Sequence, residues 1–246
     1  MNERFERMNM AGAVFRDVNL AKAEFDDVNL GETVIHNANL SNLSIDDANI
    51  QGLTIFGFRI DELISAEMDR RDPMRIELRM RSCYDPASLQ AVMARLDEFR
   101  ANFIDNLYAQ PRETLLAAPQ PGQWSVIDNI RHLMFAEDMY IHRWILRDKH
   151  PWCRMGLRSA FLDNRPEFAE VGTLPEQDLD ILLAAWAEIH SWTKRYVAMA
   201  TEEDLRRSTQ DVDFGQGTVG MVLQGMAQHD LDHIRQCEAA LDRQRS

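Results

Sequence analysis

Cysteine is scarce in this chain. Three occur in 246 residues (Cys83, Cys153 and Cys237), an odd number, far apart and without a CxxC pair. That excludes a disulfide framework and a cysteine zinc site, and it fits a reducing cytoplasm. Basic charge is also short: 27 Lys and Arg stand against 40 Asp and Glu, a formal net charge of -13. Phosphate binding needs a basic surface, so nucleic acid is not an expected partner. Long apolar runs are missing too. No stretch nears the ~20 apolar residues of a membrane span. The opening "MNERFERMNM" has charges but no apolar run behind them, so no signal peptide is expected. The remaining class is a cytoplasmic globular chain away from membranes. Its 45% hydrophobic residues supply ample material for a core.

A repeat fills the first sixty residues. Every fifth residue from Phe5 to Ile60 is large and apolar, twelve positions in succession. Chance would produce that roughly once in 10⁴ tries. A second column, two residues earlier, is mostly small or apolar: Met8, Ala13, Val18, Ala23, Val28 and onward. Asparagine precedes the large residue on alternate repeats, at Asn9, Asn19, Asn29, Asn39 and Asn49. A period of five suits neither a 3.6-residue helix nor an alternating strand, but it suits a solenoid whose short segments turn corners.

From Ala87 the period becomes helical. Leu89, Val92, Met93, Leu96, Phe99, Phe103 and Leu107 form one stripe. A second helix opens at Ser125 and Asp128, a capping-box signature, and runs to about Arg147. Residues 148–175 carry three prolines and no sustained stripe, a long crossover expected to cover a pocket. A third helix follows from Leu179 through Tyr196. A glycine loop ("DFGQGT") then precedes a fourth helix over 218–243. Four long helices with one extended crossover predict a four-helix bundle, whose interior suits a metal.

The last helix carries "HDLDHIRQC" (229–237). His229 and His233 stand four apart on one helical face and can address a common ion. Two helix histidines that are merely neighbours would look the same. A protease-like HExxH reading fails, because Asp230 is a methylene short of the glutamate. His142 lies ten residues past His132, about 80° round the helix, and points elsewhere. Cys237, one turn past His233, is a candidate fourth ligand or a core filler.

Two segments together carry a family resemblance: "GQWSVIDNIRHLMFAED" (122–138), with its Trp-Ser helix start and His132-Leu133, and "HDLDHIRQ" (229–236). They resemble the DinB-like superfamily, which has metal-dependent thiol-transferase relatives. The resemblance implies that His132, His229 and His233 hold a divalent metal, zinc or nickel first and iron also accommodated, in a helical bundle over residues 87–246. Gln236 matches a glutamine of the family's last helix, and Asp232 stands where relatives often have another histidine. By the same resemblance the activity is a metal-dependent thiol S-transfer or a related hydrolysis or isomerisation, with a low-molecular-weight thiol and an electrophile as substrates. The alternative is a non-catalytic, metal-stabilised module whose rod docks a protein partner or a second copy. The N-terminal "NANLS", "DANIQ" and "DVNLG" are similar to pentapeptide repeats. That resemblance implies a right-handed quadrilateral parallel β-helix over residues 1–62, joined by a part-helical linker, 63–86, to the bundle.

Overall fold

The structure, a computed structural model, describes residues 4–244 apart from 27, 46–47, 121, 149–151, 160–161, 163–164, 175–177 and 210–216. It divides into two compact units, Met1–Asp46 and Asp47–Ser246.

In the first unit the pentapeptide corners are of two alternating kinds. At one, the carbonyls of Met10, Leu20, Leu30 and Leu40 accept from the backbone N–H three residues on, at 2.9–3.1 Å. The third residue of each of these turns is left-handed: Gly12, Lys22, Glu32 and Asn42. Asparagine explains why the corner recurs every tenth residue. Oδ1 of Asn9, Asn19, Asn29 and Asn39 accepts from the N–H two residues on, at 2.8–3.0 Å, which fixes the chain direction entering the turn. At the other corner a single left-handed residue suffices: Arg7, Asp17 and Asn37. The structural unit is therefore ten residues long. Among the described residues of this unit no strand forms, and the large apolar column stays open to solvent, with Phe5, Phe15, Phe25, Ile35 and Ile45 56–65% exposed. Among the described residues no ladder of strands closes the coil expected of the repeat.

The second unit opens with a hairpin of β1 (Thr54–Ile55) and β2 (Phe58–Arg59), turned by the left-handed pair Phe56 and Gly57. Next come α1 (Ile60–Arg71), ended before Pro73, and the short α2 (Met74–Glu77). Four long helices then build the core: α3 (Pro86–Tyr108), α5 (Val126–Asp138), α6 (Leu179–Met199) and α8 (Val219–Gln244). Short α4 (Arg112–Leu116) and α7 (Glu202–Arg206) lie between them. Around the core α3 packs on α8, α8 on α5, α5 on α6, and α6 on α3. The predicted α3 stripe, Leu89 through Leu107, is buried in full. Asp85 caps that helix, accepting from the Ala87 N–H ahead of Pro86, and the reciprocal Ser125–Asp128 box starts α5.

Beyond Asp138 the second helix differs from the expected regular one. It widens into a π-helical stretch, Met139–Leu146, and stops at left-handed Arg147. Asp138 is fully buried there and accepts from the Cys153 N–H. The glycine loop at 213–218 falls mostly outside the described residues. Its flanks, β3 (Ser208–Thr209) and β4 (Gly217–Thr218), pair antiparallel.

Residues 72–83 strap onto α8. Asp72 pairs with Arg235 at 2.7 Å, Arg75 pairs with Asp232, and Gln224 and Gln228 donate to the Leu78 carbonyl. The approach is close enough to require glycine: a Cβ on Gly220 would fall 1.7 Å from the Cys83 carbonyl oxygen. Among the described residues no helix is long and apolar enough to cross a membrane.

Candidate metal centre

His132 projects from α5 into the bundle, and α8 brings His229 and His233 to meet it. One ligand nitrogen from each of the three lies within 4.8 Å of the others. The ring centroids stand 4.4–5.2 Å apart. His132 is buried and the other two are half-buried.

Two hydrogen bonds decide which nitrogens face inward. His132 Nδ1 lies 3.1 Å from the Leu157 carbonyl, which only accepts, so Nδ1 carries the proton and Nε2 presents its lone pair. His233 Nδ1 lies 2.9 Å from Asn129 Oδ1, and the Asn129 amide nitrogen is committed to the Ser125 carbonyl at 2.9 Å. His233 Nδ1 is therefore the donor, and its Nε2 is also free of a proton. Such outer partners are what orient imidazoles toward a metal.

His229 completes the set with a different signature. Its Nε2 sits 3.3 Å from His132 Nε2. Among the described residues its buried Nδ1 has no hydrogen-bond partner, nor has Asp230 Oδ1, 3.7 Å away. An ion on His229 Nε2 would place the proton on Nδ1, with the Asp230 carboxyl as its nearest acceptor. The orphaned pair and the inward lone pairs fit a divalent cation served by neutral imidazole.

The protonation state agrees. Burial, reinforced by the neighbouring His229, pushes His132 down to about 4. Burial and the other two imidazoles push His233 to about 3, against the Gln236 side chain, which favours the charged ring by accepting from it. Both rings are neutral near pH 7, as ligands must be.

Aromatic rings wall the centre. Trp124, of the Trp-Ser helix start, stands 4.6 Å from the His132 ring and stacks at 6.0 Å on that of His233. Tyr140 meets His229 edge-on at 5.9 Å. Phe135 bridges outward, touching His132 on one side and Trp152 and Phe168 on the other. There a cavity of about 300 Å³ opens, lined by Met139, Arg143, Trp144, Trp152, Glu167 and Phe168. The crossover thus supplies both a cavity wall and, through Leu157, the acceptor that aims His132.

Other candidates lie elsewhere. His142 is buried against Asp148 and Trp192. Cys237 is fully buried in the core, burial pushes its thiol far above the usual range, and it is not in the converging group. His190 sits in a second polar cluster. Its Nδ1 donates to Glu137 and its Nε2 to Asp97, each at 2.6 Å. Asn129 was not singled out by sequence. It lies one turn before His132 on the same face, and that spacing was the available signal.

No curated protein and no solved structure is similar enough to add a closer relative. Pentapeptide repeats, in eight copies, match residues 4–37 and 13–52. The DinB superfamily profile matches residues 88–237, three fifths of the chain and all three histidines, and the chain belongs to the DinB superfamily.

Proposed function

We propose that the bundle holds a divalent metal through Nε2 of His132, His229 and His233 and works as a metal-dependent thiol S-transferase or a close relative of one. The observation carrying this reading is the pair of outer anchors, Leu157 and Asn129, which leave two unprotonated Nε2 atoms facing the third imidazole. Three neutral imidazoles suit zinc or nickel first, and iron also. A divalent ion there supplies Lewis acidity, lowering the pKa of a thiol or water within its reach. The chain supplies the rest. Met139, Trp152 and Phe168 form an apolar seat for the body of an electrophile, and Arg143 and Glu167 give it polar handles. Trp124 shields two of the three imidazoles from bulk water.

The purified protein should carry near-stoichiometric metal by elemental analysis, and His132→Ala should lose it. Metal-loaded protein, incubated with cellular thiols and a panel of electrophiles, should consume thiol, and His229→Ala should abolish the consumption. Absence of metal from wild type overturns the reading. Metal without turnover across the panel favours a non-catalytic module instead, which the exposed apolar column of the repeat also supports.

A further inference from the structure

His229 differs from its two partners in what meets its second ring nitrogen. His132 and His233 each turn Nδ1 to an oxygen that accepts, the Leu157 carbonyl at 3.1 Å and Asn129 Oδ1 at 2.9 Å. His229 Nδ1 is buried and stands 3.7 Å from Asp230 Oδ1, beyond hydrogen-bond reach. Among the described residues neither atom has a partner. The Asp230 side chain is only 2% exposed, and a buried acceptor left without a donor is costly.

The other end of the ring explains the mismatch. Leu157 holds the His132 proton on Nδ1, so His132 Nε2 is bare. The 3.3 Å contact between His132 Nε2 and His229 Nε2 therefore takes its proton from His229. A neutral imidazole has one proton, and with it on Nε2 the Nδ1 of His229 is a lone pair. Two acceptors then face each other, His229 Nδ1 and Asp230 Oδ1, and they stay apart.

We propose, building on the three-histidine metal site above, that metal loading moves the His229 proton from Nε2 to Nδ1, and that Asp230 positions the loaded ring by accepting it. The ring stays neutral throughout: one proton leaves Nε2 for solvent, and solvent returns one to Nδ1. Closing the gap to Asp230 takes a shift of under about 1 Å. The orphaned pair then becomes a charge-assisted hydrogen bond, and the carboxylate offsets part of the ion's charge. Asp230 lies outside the converging group, so it positions a ligand without being one. Leu157, Asn129 and Asp230 thus serve one histidine each, the first two always and the third only on loading.

The test uses the full chain at ~pH 8, where free imidazole is neutral, stripped by chelator or loaded with zinc. Histidine ring NMR of isotope-labelled protein distinguishes the two tautomers directly. Adding zinc should convert one ring from Nε2–H to Nδ1–H and leave His132 and His233 as Nδ1–H throughout. Asp230→Asn keeps the shape, removes the charge and offers an amide that can donate to the bare Nδ1. Without zinc its urea midpoint should therefore rise above wild type. Its zinc affinity, by competition against a chromophoric chelator, should fall about 10- to 100-fold. Asp230→Leu should lose at least as much affinity without the gain in midpoint, and circular dichroism verifies that both variants fold. Wild type that takes up no zinc sinks the metal site itself. Zinc uptake without a change of tautomer overturns the switch alone. So does Asp230→Asn binding zinc as tightly as wild type, or unfolding more easily than wild type without zinc.

Discussion

Replacing Glu137 by Gln removes one charge from the bundle interior at almost no change of shape. Glu137 is wholly buried and accepts four hydrogen bonds: Arg100 at 2.9 Å and Trp186 at 3.2 Å on one oxygen, His190 and Thr193 at 2.6 Å on the other. A glutamine keeps one acceptor and turns an amide toward donors on the second side. His190 can adapt, because giving up its proton turns Nδ1 into an acceptor while Nε2–H still reaches Asp97. Arg100 cannot adapt. It is buried, stacked 3.7 Å over Trp186, and its charge would lose the carboxylate beside it. Breaking a buried pair on one side costs about 3–5 kcal/mol, and the His190 adjustment places Glu137→Gln near the lower end. For a unit of this size that is a fall in Tm of roughly 6–12 °C. Urea denaturation of Glu137→Gln, with and without Arg100→Met, measures it. The double variant should recover at least half of the loss, since it removes the stranded charge. A single-variant loss under about 1 kcal/mol, or a double variant no better than the single, refutes the reasoning.

Asn129→Leu should weaken zinc binding about 10- to 100-fold by freeing the His233 ring, while Asn129→Asp, which keeps the acceptor, should hold affinity. Competition against a chromophoric chelator reads both, and equal losses would exclude an orienting role. The metal-free protein should be most stable near pH 6.5. His132 and His233 are depressed by burial, so their contribution is lost as pH falls below the ordinary 6.5 toward about 4 and 3. His190, which burial would lower, is raised by the Glu137 and Asp97 carboxylates, so its contribution is full below 6.5 and is lost as pH rises through its folded value. His190→Gln should flatten the alkaline limb of urea midpoint against pH, and an unchanged limb counts against this account. Gly220→Ala should cost about 1–3 kcal/mol by forcing α8 off the Cys83 carbonyl. Gly225→Ala, with open space beside it, should stabilise by up to about 1 kcal/mol, and a matching pair of results would contradict the close approach.

What sequence reveals and conceals here follows from distance along the chain. His229 and His233 sit one turn apart, so their common face is readable from spacing alone. His132 lies 97 residues before His229, and only family resemblance joins it to them. Asn129 acts through space on His233 of another helix, and Trp124 on that ring as well as on His132, so their neighbourhood in sequence says little beyond packing and capping. Nothing local in the sequence marks Glu137, because its partners Arg100 and His190 are 37 and 53 residues away. The π-helical widening also escapes periodicity, since its apolar residues still recur at helical intervals. In the repeat, the five-residue column was plain, and the alternate asparagines already marked the ten-residue unit. Solvent exposure of the column was not legible, because pattern identifies apolar positions without saying what covers them.

The two alternating corners constrain how this segment can change in length. Removing five residues leaves the apolar column intact, yet it brings two corners of the same kind together and puts an asparagine acceptor where no hydrogen-bonded turn follows. Removing ten restores both column and corner order. Viable insertions and deletions in the repeat therefore come in tens, and a lineage that grew or shortened this segment would have done so by whole two-corner blocks.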